Sequence, residues 1–425
     1  MKTPLLALAL CTAAPAAAAA APLPPFTYYN ASLLAQTQAA IAARAPAVWP
    51  AYTALLAAAD AALRRGPYSV TQQYNASLIP FPCDPRAYTS VGFYYWPCTQ
   101  TPPGQVPRNA SACNASSGLP WVYWDGQVSP YAGDFDLYVW GDLASAVQTL
   151  GLAYFFSGNE TFSAHGAALT RAWFLDARTG MLPSLDHAQF TPGVNTGTGT
   201  GIIDLDEYLA TGLLDALVML RPSPSWRDAD EAAMQAWARA YTEWLLTSPL
   251  AAHEGRTLNN HRAYFDAQLL QLALYAGNAS LAAARAAREG AVLDVQIAPN
   301  GELYLEVART RSQHYVSFCL HAYLGLAAGA ERAGNDLWAY RTANASSLLA
   351  AVQFLMPYSN GSKAWPWENL DGPAWSWAEL FDVYRAAAAA LPAHAGELLA
   401  AADATVNATS PSDVRRLTWP VAGST

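Results

Sequence analysis

The chain has 425 residues, 53% hydrophobic and 13% charged, which is enough apolar material for one large domain or two ordinary ones and too much for a disordered polymer. The net charge of −9 excludes nucleic acid as the expected partner, since phosphate binding needs a basic surface. It does not exclude a polyanionic ligand, because the local potential of a cleft decides binding and a few arginines can line one.

The N-terminus reads as a signal peptide over residues 1–21. Lys2 supplies a positive start, Leu5 to Cys11 an apolar core, and Ala13 to Ala21 a set of small-residue cleavage sites. Residues 22–425 are then expected to be one exported, extracellular domain. No later run reaches the roughly 18 uninterrupted apolar residues of a spanning helix, so no membrane partner is expected. Nine N-x-S/T sequons, at Asn30, Asn75, Asn109, Asn114, Asn159, Asn278, Asn344, Asn360 and Asn407, point to a secretory glycoprotein with sugars on its loops.

Alanine-rich stretches such as Ala57–Ala62 and Ala386–Ala390 favour helix. Residues 30–65 read as helical, stopped at Gly66-Pro67. Residues 66–135 hold many prolines and aromatics without a sustained period and read as long loops, which in a compact domain are usually functional. Cys83, Cys98 and Cys113 cluster there, and in an oxidising compartment two of the three are expected to pair. Cys11 leaves with the signal peptide, and Cys319 reads as a buried free thiol. Helical spacing returns from Leu137, and Asp142–Phe156 and Glu160–Leu175 read as an antiparallel pair broken at Ser157-Gly158-Asn159. Residues 179–201 are loop again. Asp204–Leu220, Asp228–Leu246, Ala263–Ala276 and Ala279–Gly290 read as helices, and Asp294–Ile297 as a short extended segment before the Pro299-Asn300-Gly301 turn. Helices at Ser312–Ala333 and Leu337–Leu355 follow, and the last sizeable one at Trp377–Leu391. The whole reads as a single all-α domain of stacked helical hairpins with long loops at one end.

Two stretches carry the chemistry. In Arg256-Thr-Leu-Asn259-Asn260-His261-Arg262, two asparagines and a histidine flanked by arginines stand directly before an apolar helix; capping accounts for one asparagine only. In Glu306-Val-Ala-Arg309-Thr310-Arg311-Ser312-Gln313-His314-Tyr315, arginines two apart cannot share a helix face, so they belong on an extended entry, with Tyr315 in the helix that follows. Arg309 and Arg311 need partners, either Glu302 and Glu306 or a ligand. A third segment, Tyr88-Thr-Ser-Val-Gly-Phe-Tyr-Tyr-Trp96-Pro97, is aromatic. A fourth, Met181 to Gly197 followed by Gly201-Ile-Ile-Asp204, is glycine-rich.

In this order and spacing, over roughly residues 85–370, the four segments resemble the alginate lyase family of polysaccharide lyases. The resemblance implies an incomplete (α/α) toroid with a groove across one end. It also implies β-elimination on a uronic-acid polymer carried by Asn260, His261, Arg309 and Tyr315. The early aromatic element departs from the family pattern by ending in Pro97-Cys98, and Arg262 stands where smaller residues are commoner.

The residue types suit that reaction. The carbon losing its proton sits beside a carboxylate, whose charge must be neutralised or hydrogen-bonded as it develops enolate character. An asparagine amide donates without bringing a proton to lose, and a guanidinium can grip a carboxylate in two places. In β-linked mannuronate and glucuronate the proton and the leaving oxygen lie on one side of the ring, so one tyrosine can act as base and then acid. A nearby arginine would favour its phenolate. His261 helps neutralise the carboxylate or, on guluronate, acts as the base.

No cofactor is implied, and His253 and His261 lack the pattern of a metal site. His187, Gln189 and Asn195 are candidate sugar contacts, with turn chemistry the alternative for Asn195. Arg256, Arg311 and His314 flank the two chemical stretches as further candidate contacts. Tyr94, Trp96, Trp121 and Trp124 are candidates for stacking on sugar faces, against plain packing, and Trp365-Pro-Trp367-Glu368 for a groove wall. The expected partner is an anionic polysaccharide, poly-mannuronate or β-glucuronan, bound by a monomer. Rival readings are a toroid hydrolase, which would need two carboxylates among Glu254, Asp266, Glu302 and Glu306, and a sugar-binding protein without activity.

Overall fold

The computed structural model describes residues 26–420 except 77, 80, 108–111, 202–203, 373–375 and 406–409. The signal-peptide assignment, with Cys11, therefore lies outside the described residues, as do the sequons at Asn109 and Asn407. The fold is an all-α incomplete (α/α) toroid of helical hairpins, with four short strands on its loops among the described residues.

The hairpins follow from punctuation in the chain. The Asp136–Ser157 helix ends at Gly158 in the left-handed conformation, and Asn159 caps the Glu160–Thr170 helix by accepting from the Thr161 amide. This is the pair expected from periodicity, its first helix starting at Asp136, one residue before the point where helical spacing returns. The Asn260–Tyr275 helix, buried nearly all round, packs on Ser312–Arg332, and these two carry most of the chemical residues. One continuous core draws on residues from Phe26 to Trp419. Its first strand of chain is tied down by Asp215, fully buried, which accepts from the backbone amides of Thr27, Tyr28 and Tyr29 at 2.7, 2.9 and 2.7 Å.

Several boundaries differ from the sequence reading, each for a local reason. Residues 30–65 form two helices, Ala31–Ala42 and Trp49–Ala62. The break falls where Arg44 turns left-handed and Ala45 precedes Pro46, which excludes the helical region. Asp204–Leu220 splits into Asp206–Ala210 and Leu213–Leu220 at Gly212, where φ is 109° and a Cβ would lie 2.8 Å from the Tyr29 hydroxyl. Asp294–Ile297 is not an extended segment: Glu289–Gln296 is helical and only Ile297 is extended. Residues 337–347 are not helical, because Asp336 folds them into a turn by accepting from the Trp338 and Ala339 amides. The helix there starts at Leu348, capped by Ser347. A further helix, Ala395–Thr405, follows the one expected to be last, burying Leu398, Ala401 and Ala402.

The long loops converge on one end of the toroid. Thr89–Val91 pairs in parallel with His187–Phe190, joining the aromatic segment to the glycine-rich one. Tyr95–Trp96 pairs antiparallel with Val122–Tyr123. Cys98 and Cys113 form a disulfide, leaving Cys83 half-buried and Cys319 buried as free thiols.

Candidate active site

Asn260 and His261 open their helix, and neither Asn259 nor Asn260 caps it as expected. The cap is Glu306, from the next hairpin. Its carboxylate accepts the Asn260 backbone amide at 2.6 Å and the Asn260 side-chain Nδ2 at 2.7 Å. An anion suits a helix N-terminus, where unpaired amides concentrate positive potential. The bond also fixes the Asn260 amide, with one Nδ2 hydrogen on Glu306 and, among the described residues, no hydrogen-bond partner for the second. Burial raises the Glu306 pKa, opposed by the two Asn260 bonds.

His261 donates from Nδ1 to Glu254 at 2.5 Å. Glu254 ends the short Pro249–Glu254 helix and is 2% exposed. This pairing assigns Nε2 to the cavity that His261 lines. Burial pulls the imidazole pKa down, but the charge and hydrogen bond of Glu254 more than reverse it, so it is raised above 6.5.

Arg309 and Arg311 sit, as expected, on a non-helical entry to the Ser312–Arg332 helix, yet neither pairs with Glu302 or Glu306. Arg309 binds Asp125, Nη2 to Oδ1 at 2.6 Å and Nε to Oδ2 at 3.4 Å, and Arg311 binds Asp371 at 2.9 Å. The reason is a Trp124-Asp125-Gly126 turn. Gly126 has φ 71°, and a Cβ there would meet Thr310 Oγ1 at 2.5 Å, so glycine lets Asp125 reach the arginine strand. Thr310 Oγ1 and the Tyr123 hydroxyl also donate to Asp125. Against the burial that would raise it, hydrogen bonds from Arg309 and Tyr123 hold the Asp125 carboxyl far below its usual range. The guanidinium fork expected to grip a substrate carboxylate is thus occupied by Asp125.

Arg309 turns its remaining reach on Tyr315. Its Nη2 donates to the Tyr315 hydroxyl at 2.8 Å, and its Cζ lies 3.7 Å from the ring centroid. Tyr315 in turn donates to the Tyr94 hydroxyl at 2.9 Å. The expected lowering of the phenol by arginine is present but outweighed: burial and Tyr94 push the Tyr315 pKa far up.

Asn260, His261, Arg309 and Tyr315 line one cavity of about 530 Å³, with Tyr94, Gln189 and His314 beside them. That is a size suited to a small ligand or a few sugar units. Gln189 has a left-handed backbone (φ 51°) and donates from Nε2 to Asp204 at 2.6 Å. His314 stacks on Phe318 and lies 3.4 Å from Glu379. Other candidates do not line the cavity. His187 hydrogen-bonds the Gly197 carbonyl and packs on Phe81, and Asn195 accepts from the Gly197 amide, so both shape the loop rather than face the cavity. Trp96 is buried, donating to the Gln127 carbonyl, and Trp124 is buried in the turn that carries Asp125. Arg311 is drawn away by Asp371, and Arg256 is exposed on the turn after Glu254.

Sequence reasoning missed Asp125, Tyr123, Asp204, Asp206, Glu207 and His321, all at the cavity or tied to it. Burial pushes the Asp204 carboxyl up to about 6 against hydrogen bonds from Ser90, Gln189 and Tyr88. Only Asp125 left a legible trace, an acid before glycine in an aromatic loop. Three of the four carboxylates named for a hydrolase are engaged: Glu254 by His261, Glu306 by Asn260, and Asp266 by Arg262 and Arg285. Among the described residues no group of three or more His, Cys, Asp or Glu is gathered as a metal site.

The chain is similar to known proteins of one family. A family profile described as alginate lyase matches residues 82–365. The crystal structure of an alginate lyase from Bacteroides ovatus superimposes with a TM-score of 0.82 at 31% identity, covering 94% of this chain and 100% of that one. Alginate lyase A1-III from Sphingomonas species A1 aligns over 77% of this chain and 88% of its own at 18% identity, with a TM-score of 0.49. No curated protein sequence matches significantly.

Proposed function

The chain belongs to the alginate lyase family, and on that premise we propose that it cleaves a uronic-acid polymer, poly-mannuronate or β-glucuronan, by β-elimination. The observation that supports this most is the convergence of Asn260 and His261, from one helix start, with Arg309 and Tyr315, from another, in a single cavity.

In this reading the second Nδ2 hydrogen of Asn260 and, in the imidazolium form, the Nε2 hydrogen of His261 meet the substrate carboxylate and stabilise the charge it gathers. Tyr315, as phenolate, removes the proton from the carbon bearing that carboxylate. The electron pair becomes the ring double bond, the glycosidic carbon–oxygen bond breaks, and the phenol returns the proton to the leaving oxygen. Arg309 serves the phenolate rather than the substrate, because Asp125 already fills its fork. His314 and Gln189 are proposed sugar contacts. The protein is further proposed to be an exported glycoprotein of one domain, acting as a monomer.

The test is ultraviolet absorbance of the unsaturated product during incubation with poly-mannuronate, poly-guluronate and glucuronan, with Tyr315→Phe beside the native chain. Rising absorbance on one polymer, lost in the variant, is the expected result. Absorbance that persists in Tyr315→Phe would remove Tyr315 from the chemistry, and binding without product on any polymer would leave a sugar-binding protein.

A further inference from the structure

The Tyr315 hydroxyl stands in a row of alternating partners. Asp125 binds Arg309, Arg309 donates to Tyr315, and Tyr315 donates to Tyr94. Tyr94 interacts with Arg311, and Arg311 binds Asp371. Two phenols are thus flanked by two guanidiniums, each backed by one aspartate. The halves come from distant chain: Tyr94 from the early aromatic loop, Asp125 from the turn beside it, Asp371 from a late loop. The late loop is registered on the arginine strand by the Leu370 amide donating to the Thr310 carbonyl at 2.8 Å and by an Arg311–Asn369 bridge. Tyr94 is 5% exposed and lines the cavity beside Tyr315.

This arrangement answers a difficulty of the scheme above. As the site stands, Tyr315 is a phenol, spending its proton on Tyr94, and a phenol is not a base. We propose that Tyr94 is the proton partner of Tyr315: the Tyr315 proton passes to the Tyr94 oxygen as the Tyr94 proton leaves to cavity water. One O–H bond breaks and one forms on Tyr94, one breaks on Tyr315, and solvent carries away a single proton. The anion left on Tyr315 accepts from Arg309 and from the new Tyr94 O–H, and Arg311 beside Tyr94 adds a second positive charge. The pair ionises as a unit. It does so once, because elimination returns Tyr315 to its phenolate when the leaving oxygen takes the proton. Tyr94 acts through Tyr315 and is a positioning residue, not a catalytic one. The proposal rests on the assignment of Tyr315 as base.

The charged and titratable groups around the pair are Arg309, Arg311, Asp125 and Asp371, with Tyr123 and Tyr138 near Tyr94 and the His314 ring 5.3 Å from that of Tyr315.

The experiment is the pH profile of kcat and KM for the native chain, Tyr94→Phe and Tyr315→Phe on the polymer the native chain degrades, with ultraviolet titration of tyrosinate in the same three proteins. Losing one hydrogen bond to a charged oxygen should lower kcat of Tyr94→Phe at neutral pH by about tenfold to a hundredfold. The rise of kcat with pH should move up by about one unit or more, and KM should change little. A tyrosinate titration that moves with the kinetic limb supports the pairing independently of turnover. A uniform fall in kcat at every pH with the limb unmoved would overturn it, as would an unchanged profile. Activity surviving in Tyr315→Phe would show instead that the base is misassigned, and the proposal would fall with it.

Discussion

Glu306→Gln tests whether the orientation of one amide carries the carboxylate-binding half of the site. In the native chain both Glu306 oxygens are acceptors, at 2.6 Å from the Asn260 backbone amide and 2.7 Å from its Nδ2. Glutamine can keep only one of those bonds. With its Oε1 on the backbone amide, its own NH2 confronts the Asn260 Nδ2, donor against donor. The conflict is relieved by a half-turn of the Asn260 amide, which points Oδ1 at the glutamine and moves both Nδ2 hydrogens away from where the substrate carboxylate would sit. An acceptor then faces part of the developing negative charge. Removing one such donor costs a transition state about 10²–10³ in kcat in comparable oxyanion sites. Folding should suffer less. The lost charge-assisted bond contributes about 1.5–3 kcal/mol, part of which is offset because a buried carboxylate no longer has to be desolvated. The assay is initial rate by product absorbance, set beside a thermal or urea melt. A variant with near-native stability and a rate down by two to three orders of magnitude is expected. A folded variant at the native rate would refute the reasoning, because the Asn260 amide would then not need its set orientation.

Two further changes probe the site's supports. Glu254→Gln removes the acid that holds the His261 pKa above 6.5. A raised folded-state pKa adds stability that is fully present below the unfolded value and lost as pH rises through the folded value. The native chain's advantage over this variant in urea melts should therefore be largest below about pH 6.5 and shrink above it; an advantage that grew with pH would contradict the pairing. Gly151→Ala should leave the chemistry alone and weaken the fold. A Cβ there would lie 2.9 Å from the Ala216 carbonyl oxygen and Cβ, where the Asp136–Ser157 and Leu213–Leu220 helices touch. A loss of about 1–3 kcal/mol by denaturant titration, with unchanged activity per folded molecule, is expected, and a neutral result would mean the helices part easily.

The Asn260-His261 pair and the Arg309-to-Tyr315 run were legible in the chain because each is a local signal: polar groups crowded before an apolar helix, and arginines at a spacing no helix face accepts. The helical hairpins were legible for the same reason, since periodicity and breakers such as Gly158 act over one or two turns. Gly212 and the turn after Asp336 escaped because contacts elsewhere decide them, Tyr29 in one case and a side-chain cap in the other. The partners of the chemical residues escaped more completely. That Arg309 would be met by Asp125, 184 positions away, and Asn260 by Glu306, 46 positions away, follows from which loops the toroid brings to one end. Residue types and local periodicity determined what chemistry this protein can perform. Which atoms are left to perform it, the second Nδ2 hydrogen of Asn260 and Nε2 of His261 among the described residues, was decided only in three dimensions, because burial favours pairing of polar groups and the partners come from distant chain.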